Sequence, residues 1–456
     1  MAKKKQIELT IEEKLQNALV PKEEQPYKIP SNWCWIRLEN IAEWGSGGTP
    51  SRKRKEYYNG NIPWIKTGEL NNGYIFNSEE KITELGLKNS SAKLYPINTV
   101  IIAMYGATIG KVGILSIEAT TNQACACAIV YKNILFKYVF HYLIYQKEAF
   151  INKSKGGAQP NLSQEIIKKH EIPLPPIKEQ QRIVNIIESL FAKLDRAKEL
   201  IENTLAQFEQ NKMAILHKAF TGELTAKWRK ENNIDLSSWQ DYQLKDICEK
   251  ITDGTHNSPI NTDLGDYMYI TAKNIKEEGI DLSKITYVSS DIHEKIYARC
   301  NVEFGDVLYI KDGATTGIAT INTIKEQFSL LSSVAVLKPK KNKLLAKYLV
   351  YKLNSNEVRN MMINNMSGVA ITRLTLTKIK QAKMKFPTIE EQQEIVNILD
   401  KLLAKYNKIK NLEQQLEKIE LLKKAILAKA FRGELGTNNP DEESAENLLK
   451  EILAEK

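Results

Sequence analysis

The chain of 456 residues is 42% hydrophobic and 26% charged, which suits two or three packed domains and excludes a disordered polymer. Its 65 Lys and Arg against 55 Asp and Glu leave a formal charge of +10, a balance that favours a polyanionic partner. No apolar run approaches the length of a membrane span, the basic start MAKKK leads into no signal-like apolar region, and the five cysteines lack metal-ligand spacing. The chain is therefore expected to be a cytoplasmic protein with buried free thiols, no disulfide framework and no bound metal.

In chain order, residues 1–26 form an N-terminal segment whose stretch IEEKLQNALVP reads as helix. Residues 27–175 mix short β-type runs (TVIIAMYG, KVGIL) with the helical FKYVFHYLIYQKEAFI and close on the loop GGAQPNLS, which predicts an α+β domain. Residues 176–235 start behind Pro175 and Pro176 and carry Ile183, Ile187, Leu190, Leu194, Ala197 and Ile201 at alternating steps of four and three, a heptad seam that ends near Gly222. A second α+β domain is expected over residues 236–387, with DVLYI, SSVAVLK and LLAKYLVYKLNSNEVRNMMI, closed by SGVAITRLT. Residues 388–436 follow Pro387 with a matching seam at Ile395, Leu399, Leu402, Tyr406 and Ile409, ending near Gly433, and the tail 437–456 contains the helical DEESAENLLKEIL. Two seams of matched length predict long helices that pair as a coiled-coil spacer. Helical segments at both termini predict that the ends meet, closing a pseudo-twofold, quasi-cyclic arrangement.

The second half repeats the first. EQQRIVNII (Glu179 to Ile187) returns as EQQEIVNIL (Glu391 to Leu399), and AILHKAFTGEL (Ala214 to Leu224) returns as AILAKAFRGEL (Ala425 to Leu435). Upstream, YGATIG from Tyr105 is answered by DGATTG from Asp312, PWIKTGEL from Pro63 by MYITAKNI from Met268, and NWCWIRLENI from Asn32 by SWQDYQLKDI from Ser238. The offsets stay between 205 and 212, too long for a solenoid and right for a tandem duplication of a domain with its helix.

No catalytic constellation accompanies this plan. GATIGK (Gly106 to Lys111) has its glycines one residue too close for a phosphate loop, Val112 follows the lysine, and the second copy places Ile318 where the lysine would be. The glycines Gly106, Gly110, Gly313 and Gly317 suit tight turns instead. The patterns H-E-x-x-H and G-x-S-x-G are absent, G-x-G-x-x-G opens no helix, the asparagine-proline-proline-aromatic signature of amino-methyltransferases does not occur, and the five histidines are scattered.

IPSNWCWIRLENIAEWGSGGTPSR with NIPWIKTGEL, ITDGTHNSP with YITAKNI, PLPPIKEQQRIVNII, and the two helix ends together resemble the DNA-specificity subunit of type I restriction-modification enzymes. The resemblance covers nearly the whole chain. It implies that each α+β domain is a target-recognition domain reading one half of a bipartite, asymmetric site in double-stranded DNA. The helices would hold the halves at a fixed spacing and dock two methyltransferase subunits, which methylate adenine N6 with S-adenosylmethionine; restriction subunits would add ATP- and Mg-dependent cleavage. This chain would bind no cofactor and catalyse nothing. A coiled-coil scaffold binding only protein, or a fragment of a single-chain restriction-methyltransferase, are the alternatives; the elaborate domains weigh against the first and the missing cofactor and catalytic motifs against the second.

Phosphates are contacted by Lys and Arg in loops, and bases are read by Arg, Asn or Gln. The expected DNA-binding residues are Ser51, Arg52, Arg54, Lys66, Tyr105, Lys111, Gln159 and Asn161 in the first domain. In the second they are Thr255, His256, Lys273, Asn274, Lys311 and Arg373. SRKRKEYY reads equally as a solvated turn, and His256 equally as a turn cap. For partner docking the repeated Gln180, Gln181, Gln392 and Gln393 are expected, with Phe220 and Phe431, which read equally as helix-end core.

Overall fold

The computed structural model describes residues 10–154, 161–364, 374–407 and 410–455, and side chains within the distal helix are described outside 405–411. The chain divides into two compact units, one of Met1–Leu200 with Gln415–Lys456 and one of Ile201–Gln414. Both boundaries fall inside helical segments that the sequence marks as spacers.

In the first unit a five-stranded sheet runs in the order Ala42–Ser46, Cys125–Val130, Val100–Ala103, Val112–Leu115, Gly73–Ile75. Alternate residues leave a strand on opposite faces, and here both faces are covered. Val100, Ile102, Ala126 and Ala128 enter one core with Tyr138, Tyr142 and Ile183, while Ile101, Ala103, Cys125 and Cys127 enter another with Ile65 and Leu115. That two-sided burial explains the near-continuous apolar runs. A three-stranded sheet (Glu80–Ile82, Tyr58–Ile65, Thr120–Thr121) and the antiparallel pair Cys34–Arg37 with Glu171–Leu174 complete the unit.

The second unit follows the same rules. Its four-stranded sheet orders Cys248–Asp253, Val334–Pro339, Val307–Ile310, Ala319–Ile321. Val307, Tyr309, Ala335 and Leu337 face one core, and Leu308, Ile310, Val334 and Val336 the other. All five cysteines are free and buried.

A helix of 45 residues spans Ile177–Thr221. It stops where Gly222 turns the backbone at φ +86°, a conformation glycine reaches without a Cβ clash. The distal helices are Ile389–Asn407 and Lys410–Phe431. Within the first unit, Lys198 pairs with Glu420 at 3.1 Å and Asp195 with Lys423, so one number falls as the other rises and the helices run antiparallel. Within the second unit, Leu216 and Ala219 share a core with Ile395, Val396 and Leu399. Each domain thus packs on the start of one repeated helix and the end of the other. Tyr406 and Ile409 of the expected seam lie outside the described side chains.

The helices nearest the two ends of the described chain, Ile11–Ala18 and Ala445–Glu455, meet inside the first unit. Thr10 and Glu13 cap the helix Ile11–Ala18 reciprocally. Leu15 and Ala18 share a core with Ala445, Leu449, Ile452 and Leu453 of the helix Ala445–Glu455, and Lys450 pairs with Glu12 at 2.9 Å. No helix among the described residues is long and apolar enough to cross a membrane.

Candidate nucleic-acid interface and its supports

The repeated Glu-Gln pair at each helix start is an internal latch. Gln180 is fully buried; its Oε1 accepts from the Leu135 amide at 2.9 Å and its Nε2 donates to the Pro175 carbonyl at 3.0 Å. Gln392 makes the same bonds, accepting from Leu345 N at 2.9 Å and donating to Pro387 O at 3.0 Å and Lys343 O at 2.9 Å. Glu179 accepts from Trp33 Nε1 at 2.8 Å, Asn438 Nδ2 at 3.0 Å and Thr437 Oγ1 at 3.1 Å. Glu391 accepts from Trp239 Nε1 at 2.9 Å, and from Thr225 Oγ1 and Arg229 Nη1 at 2.6 Å each. These carboxylates are buried but satisfied, as a low-dielectric site requires.

This corrects the docking expectation for four residues. Gln180 and Gln392 spend their polar atoms inside their own domains. Phe431 is fully buried with ring centroids 5.0 Å from Tyr142 and 5.5 Å from Tyr145, and Phe220 packs edge-on to Tyr348 at 5.6 Å. Helix-end core is their role. Gln181 and Gln393 are exposed, and each donates along its own helix, to Asn185 Oδ1 at 2.8 Å and Asn397 Oδ1 at 2.9 Å.

In the first domain the loop after Ser46 is pinned at its root, since a Cβ on Gly48 would stand 2.4 Å from Ala92 N, while Trp64 Nε1 donates to Gly48 O at 2.9 Å. Beyond it Ser51, Arg52 and Arg54 are exposed. Arg52 grips Glu80 with both Nη atoms, at 2.5 and 3.3 Å, and lies 4.5 Å from the Tyr58 ring centroid and 4.9 Å from that of Trp64. Lys66 also reaches Glu80, at 3.0 Å, and Glu79 at 3.1 Å. Hydrogen bonds from Arg52 and then Lys66 hold the Glu80 carboxyl down at about 2. Arg52 and Lys66 thus converge on one carboxylate. Arg54 pairs with Glu56 at 3.3 Å. Tyr105, 40% exposed, forms a backbone bridge with exposed Asn161, and Lys111 is half-buried on the far side of the intervening turn. Gln159 lies outside the described residues.

The second domain gathers its candidates around Asp253, which is buried at the end of its strand. Arg299 Nη2 donates to Asp253 Oδ1 at 2.7 Å, Lys311 Nζ stands 3.5 Å from Oδ2, and His256 Nε2 lies 3.4 Å from Oδ1. Arg299 Nη2 also lies 2.8 Å from His256 Nε2, so that ring nitrogen accepts. Thr255 caps a turn through Asn257 O at 2.9 Å. Lys273 is exposed. Two expectations need correction: Asn274 is buried, closing its own turn to Thr271 N at 3.0 Å and Asp281 O at 3.1 Å, and Lys311 is buried between Asp253 and Asp312. Neither can reach a groove. Arg373 lies outside the described residues.

Sequence reasoning missed Asp253, Glu80 and Arg299. Arg299 and Asp253 are 46 positions apart, so no local spacing announces the pair. The loop beyond His256 also presents Ile260 and Leu264, 84% and 85% exposed. Among the described residues no cluster of three or more His, Cys, Asp or Glu could hold a metal.

Comparison with known proteins agrees with this geometry. The family described as type I restriction modification DNA specificity domain matches residues 30–207 and 237–421, once in each repeat. The MjaIX specificity subunit of Methanocaldococcus jannaschii is 26% identical over 421 residues, covering 90% of this chain and 94% of its own. The EcoKI specificity subunit of Escherichia coli is 24% identical, covering 94% and 96%. Among solved structures, a chain from a study of complex assembly and conformational transition of the type I R-M system aligns with a TM-score of 0.67 at 20% identity, over 90% of this chain and all of its own. The HsdS subunit from Thermoanaerobacter tengcongensis aligns at 0.53 and 19% identity, with the same coverage.

Proposed function

We propose a division of labour that starts from family membership: this chain belongs to the type I restriction-modification DNA specificity family. It is a specificity subunit, and its function is recognition of a DNA sequence. In our reading the first domain reads one half of a bipartite, asymmetric site and the second domain reads the other. The observation that carries this is the duplicated architecture with unlike surfaces: the same Glu-Gln pair stands buried at each helix start, while one domain presents a loop rich in Arg and Lys and the other an Asp253-centred cluster beside Ile260 and Leu264. Same frame with different contacts is what two unrelated half-sites demand.

Two adenine-N6 methyltransferase subunits would dock on the helices, one per repeat, and the exposed pairs Gln181–Asn185 and Gln393–Asn397 offer each the same polar handle. S-adenosylmethionine would belong to those subunits, and ATP and Mg to restriction subunits. This chain would supply the address and leave the chemistry to its partners. Sequencing N6-methyladenine in the host genome with and without the gene tests the reading: loss of one split, asymmetric motif supports it, and an unchanged pattern from an active methyltransferase refutes it.

A further inference from the structure

Arg299 forms an ion pair whose two partners differ sharply in exposure. Its side chain is half exposed, with relative accessibility 51%, yet it is held by a carboxylate at 2%. Only Nη2 is committed, to Asp253 and His256, and among the described residues Nη1 and Nε have no partner. A guanidinium carries five N–H donors in a rigid fork. Holding it by one nitrogen fixes its direction and leaves donors free.

The hold is rigid at both ends. Asp253 closes the strand Cys248–Asp253, paired to Ala335, and the next residue can only be glycine, because a Cβ on Gly254 would stand 1.9 Å from Leu330 O. Lys311, itself buried, lies 3.5 Å from the second Asp253 oxygen and offsets its charge. Arg299 ends the helix Ser290–Arg299 and is followed by fully buried Cys300. Arg52 in the first domain differs, since both of its Nη atoms bind Glu80.

We propose that Arg299 is a base-reading residue of the second domain, positioned by Asp253 to donate through its uncommitted N–H groups to an acceptor on the major-groove edge of a guanine. The inference rests on the reading of that domain as a half-site reader. A guanine presents N7 and O6 as adjacent acceptors, and arginine is the side chain that most often matches them. Asp253 is a positioning residue: it touches no DNA and acts through Arg299.

The test uses the full chain assembled with its methyltransferase partner, and reads the methylated motif together with binding to duplexes varied one base pair at a time. Arg299→Ala relaxes one base-pair position in one half-site, lowering discrimination there roughly tenfold to a hundredfold. The other half-site keeps its preference. Asp253→Asn keeps the side-chain shape and relaxes the same position, and Arg299→Lys, which keeps charge and exposure, fails to restore it. A uniform loss across all sequences would make Arg299 a phosphate contact and overturn the proposal, as would an unchanged motif. Relaxation at a different position in Asp253→Asn would overturn the positioning role. A wild-type complex without any split motif would overturn the half-site reading itself, a result distinguishable from all of these.

Discussion

Thr437 donates its hydroxyl to Oε1 of Glu179 across 258 positions of sequence. Thr225 does the same for Glu391 in the second unit. The C-terminal segment is therefore to the first domain what the stretch after Gly222 is to the second: the strap that closes the latch. Truncation before Thr437 removes this bond and strips Ala445, Leu449, Ile452 and Leu453 from the core. At about 1.5–3 kcal/mol per buried large apolar side chain, the first domain should lose most of its stability. Limited proteolysis should then cut residues 27–175 while sparing 236–387.

Neighbouring glutamines should separate folding from docking. Gln180→Ala leaves the Leu135 amide without its acceptor and should cost about 1–3 kcal/mol, read as a lower melting temperature. Gln181→Ala should leave melting unchanged and weaken assembly with the methyltransferase, most when combined with Gln393→Ala. Equal effects from Gln180 and Gln181 would contradict the latch.

Breaking the charged latch in the second domain should cost more. Glu391→Ala abandons the buried Arg229 guanidinium, and removing one partner of a buried ion pair typically costs about 3–5 kcal/mol. Urea unfolding of the two domains, followed by separate probes, should show the second domain falling first.

Acid should strike the first domain selectively. Burial pushes His141 down to about 4 and His170 down to about 3, so the fold prefers both rings neutral. Below the ordinary histidine value the unfolded chain takes up these protons first, so stability is complete above about pH 6.5 and drains away as pH falls towards 4 and then 3. In the second domain Tyr351 occupies the place of His141 and donates to Asp400 at 2.6 Å. His141→Tyr should therefore flatten the first part of this acid profile in pH-dependent melting.

Lys352 follows the same sign at high pH. Its ammonium lies 4.9 Å from the Phe220 ring, 5.3 Å from Phe386 and 5.9 Å from Tyr348, and burial lowers it to about 8. Between about pH 8 and the ordinary lysine value near 10.4 the unfolded state holds the extra proton, so stability should rise with pH across that window. Lys352→Met should stabilise the second domain at pH 7 by about 1–3 kcal/mol and abolish the rise.

The duplication was plain in the sequence because offsets between 205 and 212 recur along the whole unit. The strands of the five- and four-stranded sheets showed as apolar runs because both faces of those sheets are buried. Which helix half joins which domain was not legible: Ile183, Ile187, Ile395 and Leu399 fix a seam, and a seam does not name its partner. The latch was misread for a related reason. A polar residue repeated at a helix start looks like a handle for another protein, and only the backbone bonds of Gln180 and Gln392 reveal that it faces inward. Asp253 and Arg299 were invisible because helix, loop and strand must fold before they meet.

The splicing of both chain ends into the first unit inverts the order of manufacture. Domains ordinarily mature on the ribosome from the N-terminus onward. Here the second unit has all its parts once Gln414 has emerged, while the first still awaits Thr437, Leu449 and Leu453. The half of the protein made first is finished last, so a prematurely ended chain would carry one mature reading head and one left open.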